Sequence, residues 1–302
     1  MKIPHPIPYQ GSKRNLAADI LKFFPQKIDR LIEPFAGSAA ITIASAYYFK
    51  ADKFIVNDIN EPLINLWDKI VNEPQTIIRD YHHIWNNQLG NEEEYYYQIR
   101  DNFNQTKEPK YLLFLLAKCV KAAVRYNAEG NFNQSPDKRR KGRLPENMRY
   151  DILNVSNLLK DKVSFYSYDY EKVLDMATEK DLIYMDPPYQ GTAKSGGFRY
   201  MEDLNHENFI ISLYKLNKRN IPFILSYDGR TDNKTYGEEL PQELNLHKIE
   251  IDAGRSSIAT LHSRNERTYE AVYISNNLAS ISHINKRIES VSIKQPSLFD
   301  FV

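Results

Sequence analysis

The chain has 302 residues, 42% of them hydrophobic and 26% charged, with a formal net charge of +1. That is ordinary globular composition, long enough for one large domain or two smaller ones, and too nearly neutral to hold polyanions by bulk charge. A single cysteine, Cys119, excludes a disulfide framework and fits a reducing cytoplasm.

The seven histidines form no HxxxH or Cys/His cluster, so no metal site is expected. The start, Met1 to Pro8, is too polar and proline-rich for a signal peptide, and no apolar run reaches 18 residues. A cytoplasmic protein with no membrane contact is the expectation.

Residues 1–62 read as loop, helix, strand, helix, strand. The segment Pro8-Tyr9-Gln10-Gly11-Ser12-Lys13-Arg14 is by itself a weak signal, a loop with two basic residues before a helix. Leu31 to Phe35 ends a first strand, residues 38–50 form a helix, and Lys53 to Asn57 is the next strand, which together make a βαβ unit. Between them, Pro34-Phe35-Ala36-Gly37-Ser38-Ala39-Ala40 closes the strand and opens the helix. Gly37 and the small residues after it let backbone approach a ligand closely. With one glycine and no Gly-Lys-Ser/Thr, this is neither a dinucleotide fingerprint nor a phosphate loop. It suits a ligand without pyrophosphate, such as S-adenosylmethionine. Asp58 follows the second strand, where an acid can accept both hydroxyls of a ribose. A tight strand–helix turn and a helix-capping Asp explain the same two features.

Residues 63–130 are helical in period, with Glu92-Glu93-Glu94-Tyr95-Tyr96-Tyr97 as a solvated helix start, and Cys119 lies in a helical core pattern. Residues 125–150 are irregular and basic. Arg125-Tyr126-Asn127 and Gly130-Asn131-Phe132-Asn133 run into Lys138-Arg139-Arg140-Lys141-Gly142-Arg143. Lysine and arginine neutralise phosphates, while Arg and Asn read guanine and adenine edges in a major groove. A solvated charged face is the alternative.

Residues 151–275 return to alternating helices and strands, with strands at Val163 to Tyr166, Leu182 to Met185, Phe223 to Ser226 and Ala271 to Ile274. Phe165-Tyr166-Ser167-Tyr168-Asp169-Tyr170 ends one of them. Its aromatics can stack on an adenine ring while Asp169 accepts from the exocyclic amine; a helix N-cap is the other reading.

The most informative residues are Asp186-Pro187-Pro188-Tyr189. They follow the apolar run Asp181 to Met185, a buried strand. Two consecutive prolines cannot continue a strand or start a helix interior. A rigid loop must therefore form at the strand's carboxyl end, where open α/β sheets bind ligands. The loop presents a carboxylate, a proline carbonyl and an aromatic ring. Two acceptors can hold the hydrogens of a planar amine while the ring stacks on its base. No Pro-Cys pair exists, so methylation of a cytosine ring carbon has no thiolate nucleophile.

Four blocks in this order resemble the Dam-like DNA adenine methyltransferases: Tyr9 to Lys13, Glu33 to Ser38, Arg125 to Asn133, and Asp186 to Tyr189. Leu225-Ser226-Tyr227 and Arg267-Thr268-Tyr269-Glu270 resemble the family's C-terminal blocks, so the likeness runs from about residue 5 to 275. It departs at Tyr9 and Ser12, where the family usually has Trp and Gly.

The resemblance implies an α/β protein, a Rossmann-like S-adenosylmethionine-dependent methyltransferase sheet with a helical, basic target-recognition insertion. Residues 1–62 and 161–275 would form the catalytic domain, 63–160 the insertion and 276–302 a polar tail. It implies S-adenosylmethionine as cofactor, held by Tyr9, Lys13, Phe35, Ala36, Gly37, Ser38, Asp58, Asp169, Tyr170 and Asp186. Catalysis would lie with Asp186, Pro187, Pro188 and Tyr189, and double-stranded DNA would meet Arg125, Asn127, Asn133, Lys138, Arg139, Arg140 and Lys141. A modification enzyme paired with a restriction endonuclease is the expected setting. A cytosine-N4 methyltransferase, or a DNA-binding protein without turnover, is the alternative. Finally, Gln295-Pro296-Ser297-Leu298-Phe299 resembles peptides that bind the replication sliding clamp, and a tail folded back on its own domain is the competing reading.

Overall fold

The computed structural model describes residues 2–188, 204–227, 229–231, 234–235, 240–255 and 267–292. Among them, short runs of β-branched and aromatic residues form the strands that their pattern predicts. Strands β1 (Ile28–Glu33), β2 (Ala51–Asn57), β3 (Val163–Tyr166), β4 (Asp181–Met185) and β5 (Phe223–Ser226) are parallel, in the order β3-β2-β1-β4-β5. Two short strands, β6 (Arg230–Thr231) and β7 (Lys234–Thr235), and the longer β8 (His247–Arg255) and β9 (Arg267–Ile274) complete the sheet; β9 is antiparallel to β5 and pairs with β8. The chain builds outward from β1 to β3, then returns past β1 to β4. The point between β1 and β4 is where such a sheet opens a crevice at its carboxyl edge. At the opposite edge Arg30 donates from Nε and Nη2 to the two Asp181 oxygens at 2.9 and 2.7 Å, which pins the β1–β4 register.

Both faces of the sheet are covered, so its strands are apolar on both sides. Leu31, Phe54, Val56, Leu182, Tyr184 and Ile224 enter one core, and Ile32, Ile55, Ile183, Met185, Phe223 and Leu225 the other. The first core is shared with α1 (Ala17–Ile20), α2 (Ala40–Tyr47) and the helical run α3 (Glu61–Asn72), α4 (Pro74–Asn87), α5 (Glu92–Thr106), α6 (Pro109–Lys118) and α7 (Pro145–Leu159). In α3, α4, α6 and α7 a proline occupies the first turn, where its missing N–H costs nothing. The core is continuous from the sheet into these helices: α3 packs on β3 and α7 on α2, while α4, α5 and α6 pack outward from them. Cys119 is buried at the end of α6, and burial pushes its thiol up to about 12. The second core is closed by α8 (Tyr170–Asp175) and α9 (His206–Lys218).

Two regions depart from the sequence reading. Strand β8 was not among the expected strands. Its alternation of Ile249 and Ile251 with charged neighbours is a half-buried strand pattern that its polar residues obscure. Residues 276–302 were expected as a polar tail, yet Asn276–Ala279 and Ser282–Ser292 are helical. Leu278, Ile284 and Ile288 are buried in the first core, and the longer helix packs on β8. Ile284 and Ile288 are four residues apart, so an otherwise polar helix presents a narrow apolar stripe. The segment Gln295 to Phe301 lies outside the described residues. No helix among the described residues is long and apolar enough to cross a membrane.

Candidate active site

The carboxyl ends of β1 to β4 converge on one cavity of about 400 Å³, within the usual range for ligand sites. Buried Asn57 at the end of β2 ties three of these ends together. Its Nδ2 donates to the carbonyls of Pro34 (2.9 Å) and Tyr168 (3.0 Å), and its Oδ1 accepts from the Tyr168 N–H at 2.9 Å. Trp67 Nε1 donates to the Gly37 carbonyl at 2.9 Å, anchoring the first loop from α3. The sequence places Asn57 only as the end of a strand and gives neither it nor Trp67 a role at the site. An Asn or Trp inside an apolar pattern reads as packing until its partners are known.

Tyr9, Lys13, Phe35, Ala36, Gly37, Ser38, Asp58, Asp169, Tyr170 and Asp186 all line this cavity. Their local roles differ in part from the expectation. Gly37 has φ +47°, and a Cβ built on it would lie 3.0 Å from the Tyr9 ring. The close approach that needs a glycine is therefore to Tyr9, a neighbour within the protein. Ser38 Oγ donates to Ser12 Oγ at 2.7 Å, closing the N-terminal segment over the same loop. Asp58 accepts from the N–H of Gly37 at 2.9 Å through one oxygen and of Asn60 at 3.0 Å through the other. Burial raises its pKa, and these two backbone bonds oppose the rise. Each oxygen keeps a second lone pair, so the carboxylate is fixed and still able to accept from a ligand. Asp169 caps α8 by accepting from the Glu171 N–H at 2.8 Å, while also lining the cavity. Phe35 and Tyr170 pack with ring centroids 5.1 Å apart, and Tyr168 stacks on Tyr166 at 5.2 Å. The cavity thus has an aromatic wall and a fixed carboxylate, a stacking and acceptor set that fits an adenosine-containing ligand.

The Asp186 loop behaves as the two prolines dictate: β4 stops at Met185, and Asp186, Pro187 and Pro188 line the cavity. Tyr189 lies outside the described residues. Lys13 reaches Asp186 across the sheet edge, with Nζ 2.7 and 2.8 Å from its two oxygens, and 3.4 Å from Glu270 Oε1. Burial would lower the Lys13 pKa, but the two carboxylates outweigh it and the net shift is upward. Lys13 is therefore a firm cation against the loop that follows β4. The expectation places it among cofactor ligands; in the structure it holds the Asp186 carboxylate. Glu33, buried beside these groups, accepts from the Thr42 N–H at 3.0 Å and Oγ1 at 2.6 Å. Burial pushes it up to about 8 against those bonds, so at neutral pH it is largely protonated. Tyr184 shares a hydrogen bond of 2.7 Å with Ser226, and its burial, with the Asp186 carboxylate nearby, holds its pKa well above the usual phenol value.

The expected DNA-contact residues lie in the segment between α6 and α7. The Tyr126–Phe132 bridge and the bond from the Asn133 N–H to the Arg125 carbonyl (3.0 Å) make a small hairpin. Asn127 closes its turn, with Oδ1 accepting from the Asn131 N–H at 2.9 Å. Arg125 Nε is buried and has no hydrogen-bond partner among the described residues. The basic run is exposed and locally compensated. Lys138 pairs with Glu93 at 2.8 Å, Lys141 with Glu92 at 3.0 Å and Arg140 with Asp137 at 2.8 Å; Arg139 sits 3.6 Å from Asp137 and is 92% exposed. Buried Lys118 donates to Gln88 at 2.8 Å, and Gln88 donates to the Lys141 carbonyl at 2.8 Å, fixing the end of the run to the helices.

Comparison with known proteins gives a consistent picture. Residues 9–254 match the family model of D12 class N6 adenine-specific DNA methyltransferases. The chain is 25% identical over 277 residues to the type II methyltransferase M1.LlaDCHI of Lactococcus lactis, covering 86% of this chain and 91% of that one. It is 26% identical over 270 residues to the type II methyltransferase M.MjaIII of Methanocaldococcus jannaschii, covering 82% and 91%. It is 30% identical over 190 residues to the retron Ec67 DNA adenine methylase of Escherichia coli, covering 61% and 63%.

Proposed function

This chain belongs to the D12 class of N6 adenine-specific DNA methyltransferases, and on that premise we propose that it uses S-adenosylmethionine to methylate a flipped-out adenine at a specific duplex site. The observation that carries the reading is one cavity lined by the Gly37 loop, Asp58, the Phe35/Tyr170 wall and the Asp186–Pro188 loop. Asp58 would take the ribose hydroxyls and the aromatic wall the adenosine base, while Asp186 closes the far side. S-adenosylmethionine, when bound, supplies an electrophilic methyl group.

The chain's own residues do the rest. A target base inside a duplex must leave the stack to reach this cavity. The Asp186 carboxylate and the Pro187 carbonyl accept the two hydrogens of its amine, and Tyr189 stacks on its ring. As the nitrogen takes the methyl group, whose bond to sulfur breaks, it becomes tetrahedral and gains positive charge, which is lost when one amine proton passes to Asp186 or to water. Acceptors already aimed at that charge stabilise the transition state more than the ground state. Removal of water and fixed positioning supply much of the remaining acceleration.

Residues 63–160 act in this reading as the target-recognition segment, with Arg125, Asn127 and Asn133 toward bases and Lys138 to Lys141 toward phosphates. Relatives named type II methyltransferases support a role as the modification partner of a restriction endonuclease, in the cytoplasm. The Gln295 to Phe299 pattern supports a sliding-clamp contact, tested by pull-down with Leu298→Ala plus Phe299→Ala.

The test of the main reading is transfer of a labelled methyl group to duplex DNA, followed by mapping of the modified adenines. Wild-type protein should label adenine N6 within one sequence, and Asp186→Ala should abolish transfer while donor binding by calorimetry persists. Labelling of cytosine, or an Asp186→Ala variant at wild-type rate, overturns it.

A further inference from the structure

We propose that Tyr126 is a positioning residue for the methyl donor: from the hairpin that carries the expected DNA contacts, its hydroxyl fixes Asn60, and Asn60 holds the Asp58 carboxylate in place for the donor's ribose. The inference rests on the reading of Asp58 as ribose acceptor given above.

Arg125 and Asn127 flank Tyr126 in sequence, yet Tyr126 itself is buried, only 3% exposed. Its ring packs edge-on against Phe132 across the hairpin, with centroids 5.9 Å apart. Its hydroxyl donates to Asn60 Oδ1 at 3.2 Å. Burial pushes the phenol up to about 12, so it remains a donor at neutral pH. Asn60, also buried, donates its N–H to one Asp58 oxygen at 3.0 Å, and its carbonyl accepts from the N–H groups of Leu63 and Ile64 at 2.9 and 3.2 Å as α3 begins. The other Asp58 oxygen accepts from the Gly37 N–H at 2.9 Å. One line of bonds therefore runs from the hairpin to the carboxylate and on to the Gly37 loop.

The use made of Asn60 sets this link apart from packing. An Asn just before the first turn of a helix ordinarily turns its side-chain oxygen back to an N–H of that turn. Asn60 holds that position on α3 and makes no such bond; its Oδ1 takes the Tyr126 hydroxyl instead. The hydroxyl so selects one orientation of Asn60, the residue whose backbone N–H grips Asp58. The base of the hairpin also borders the cavity directly. Val124 lines it, and the N–H of Gln10, another lining residue, donates to the Ala122 carbonyl at 2.9 Å. Tyr126→Phe would keep the ring and its contact with Phe132, so packing alone has no use for the hydroxyl. It would leave a buried Asn60 oxygen without its donor.

Discrimination of the ribose tests this in the full-length protein. Calorimetry measures the affinity of S-adenosylhomocysteine, and of its analogue lacking both ribose hydroxyls, for wild type, Tyr126→Phe, Asn60→Ala and the double variant, with Asp58→Ala as reference. Wild type should prefer the ligand with the hydroxyls, and Asp58→Ala should lose that preference. Tyr126→Phe should bind S-adenosylhomocysteine about fivefold more weakly and the analogue as wild type does, so that its preference falls toward that of Asp58→Ala. A general loosening of the cavity would weaken both ligands alike and leave the preference unchanged. Asn60→Ala cuts the same link and should show the same fall; it serves if Tyr126→Phe does not fold. The double variant should lose no more than either single one, because members of one bonded chain do not act independently. An unchanged preference in both single variants, or losses that multiply in the double variant, would overturn the inference. If Asp58→Ala keeps the wild-type preference, the ribose reading of Asp58 fails and the inference falls with it. If Asp58→Ala loses it while Tyr126→Phe and Asn60→Ala keep it, only the role of Tyr126 fails.

Discussion

The same kinds of ion pair occur at the Asp186 loop and in the basic run after α6, with opposite consequences. At the loop, Lys13 is enclosed by Asp186 and Glu270 with almost no solvent, and its hydrogen bonds fix one geometry. In the basic run, Lys138 and Lys141 are 69% and 58% exposed, and their carboxylate partners are exposed or half-buried. A buried pair cannot be released cheaply, because a lone charge would remain in a poor solvent. An exposed pair contributes little and is screened by salt, so a phosphate can replace its carboxylate at small cost. Burial therefore separates charges held in one geometry from charges that can change partners at small cost.

The largest effect expected from breaking this contrast is at the buried side. Gly37→Val puts a β-branched residue at φ +47° and drives its Cβ into the Tyr9 ring at 3.0 Å. Left-handed strain and overpacking together should cost about 2–4 kcal/mol of stability. Thermal unfolding measures that cost, and calorimetry should show donor affinity falling with it. An unchanged melting temperature would mean that Tyr9 is free to move away.

On the exposed side, replacing Lys138, Arg139, Arg140 and Lys141 together with Ala should leave stability and the methylated sequence unaltered. DNA affinity should fall for all sequences, and the slope of log affinity against log salt should shrink by about 0.9 for each phosphate no longer neutralised. A changed target sequence with the salt slope intact would reverse the assignment of these residues.

Glu33 sharpens the comparison through pH. Its carboxyl titrates near 4.5 when unfolded and at about 8 in the folded protein. A raised folded-state value means that its contribution to stability is fully present below pH 4.5 and is lost as pH rises toward 8. Glu33→Gln cannot ionise, so the variant should gain on wild type across that window, by at most about 1.4 kcal/mol per pH unit. Urea unfolding at a series of pH values checks it; parallel curves would show that Glu33 is ionised in the folded state. The smallest effect belongs to Glu92→Gln with Glu93→Gln, which removes two exposed pairs and should change stability by less than about 1 kcal/mol. Denaturant melts of that double variant would expose any larger role for α5.

The chain's own residues were legible to different depths. Asp186-Pro187-Pro188 required no distant information, since two prolines end a strand wherever they occur. The Gly37 turn was likewise local, although what presses on it, Tyr9, was not. Asp169 caps α8 as its local reading has it and lines the cavity as well; Asp58 caps no helix, its two oxygens taking the N–H groups of Gly37 and Asn60 at the cavity. The helix Ser282–Ser292 was missed because its stripe is narrow, with Ile284 and Ile288 among polar neighbours. Its stability comes from a core supplied by β8 and the first helices.

By itself the sequence determined the α/β class, the strand ends at which loops carry chemistry, and the adenine-methylating family, since each is written in residues a few positions apart. Only the tertiary structure decided that Lys13 reaches an acid 173 positions away, that Glu270 joins them, and that the basic run is answered by Glu92 and Glu93. Periodicity and turn chemistry act between neighbours along the chain. Charge compensation acts through space, and its strength depends on a burial that exists only once the sheet and its helices have closed.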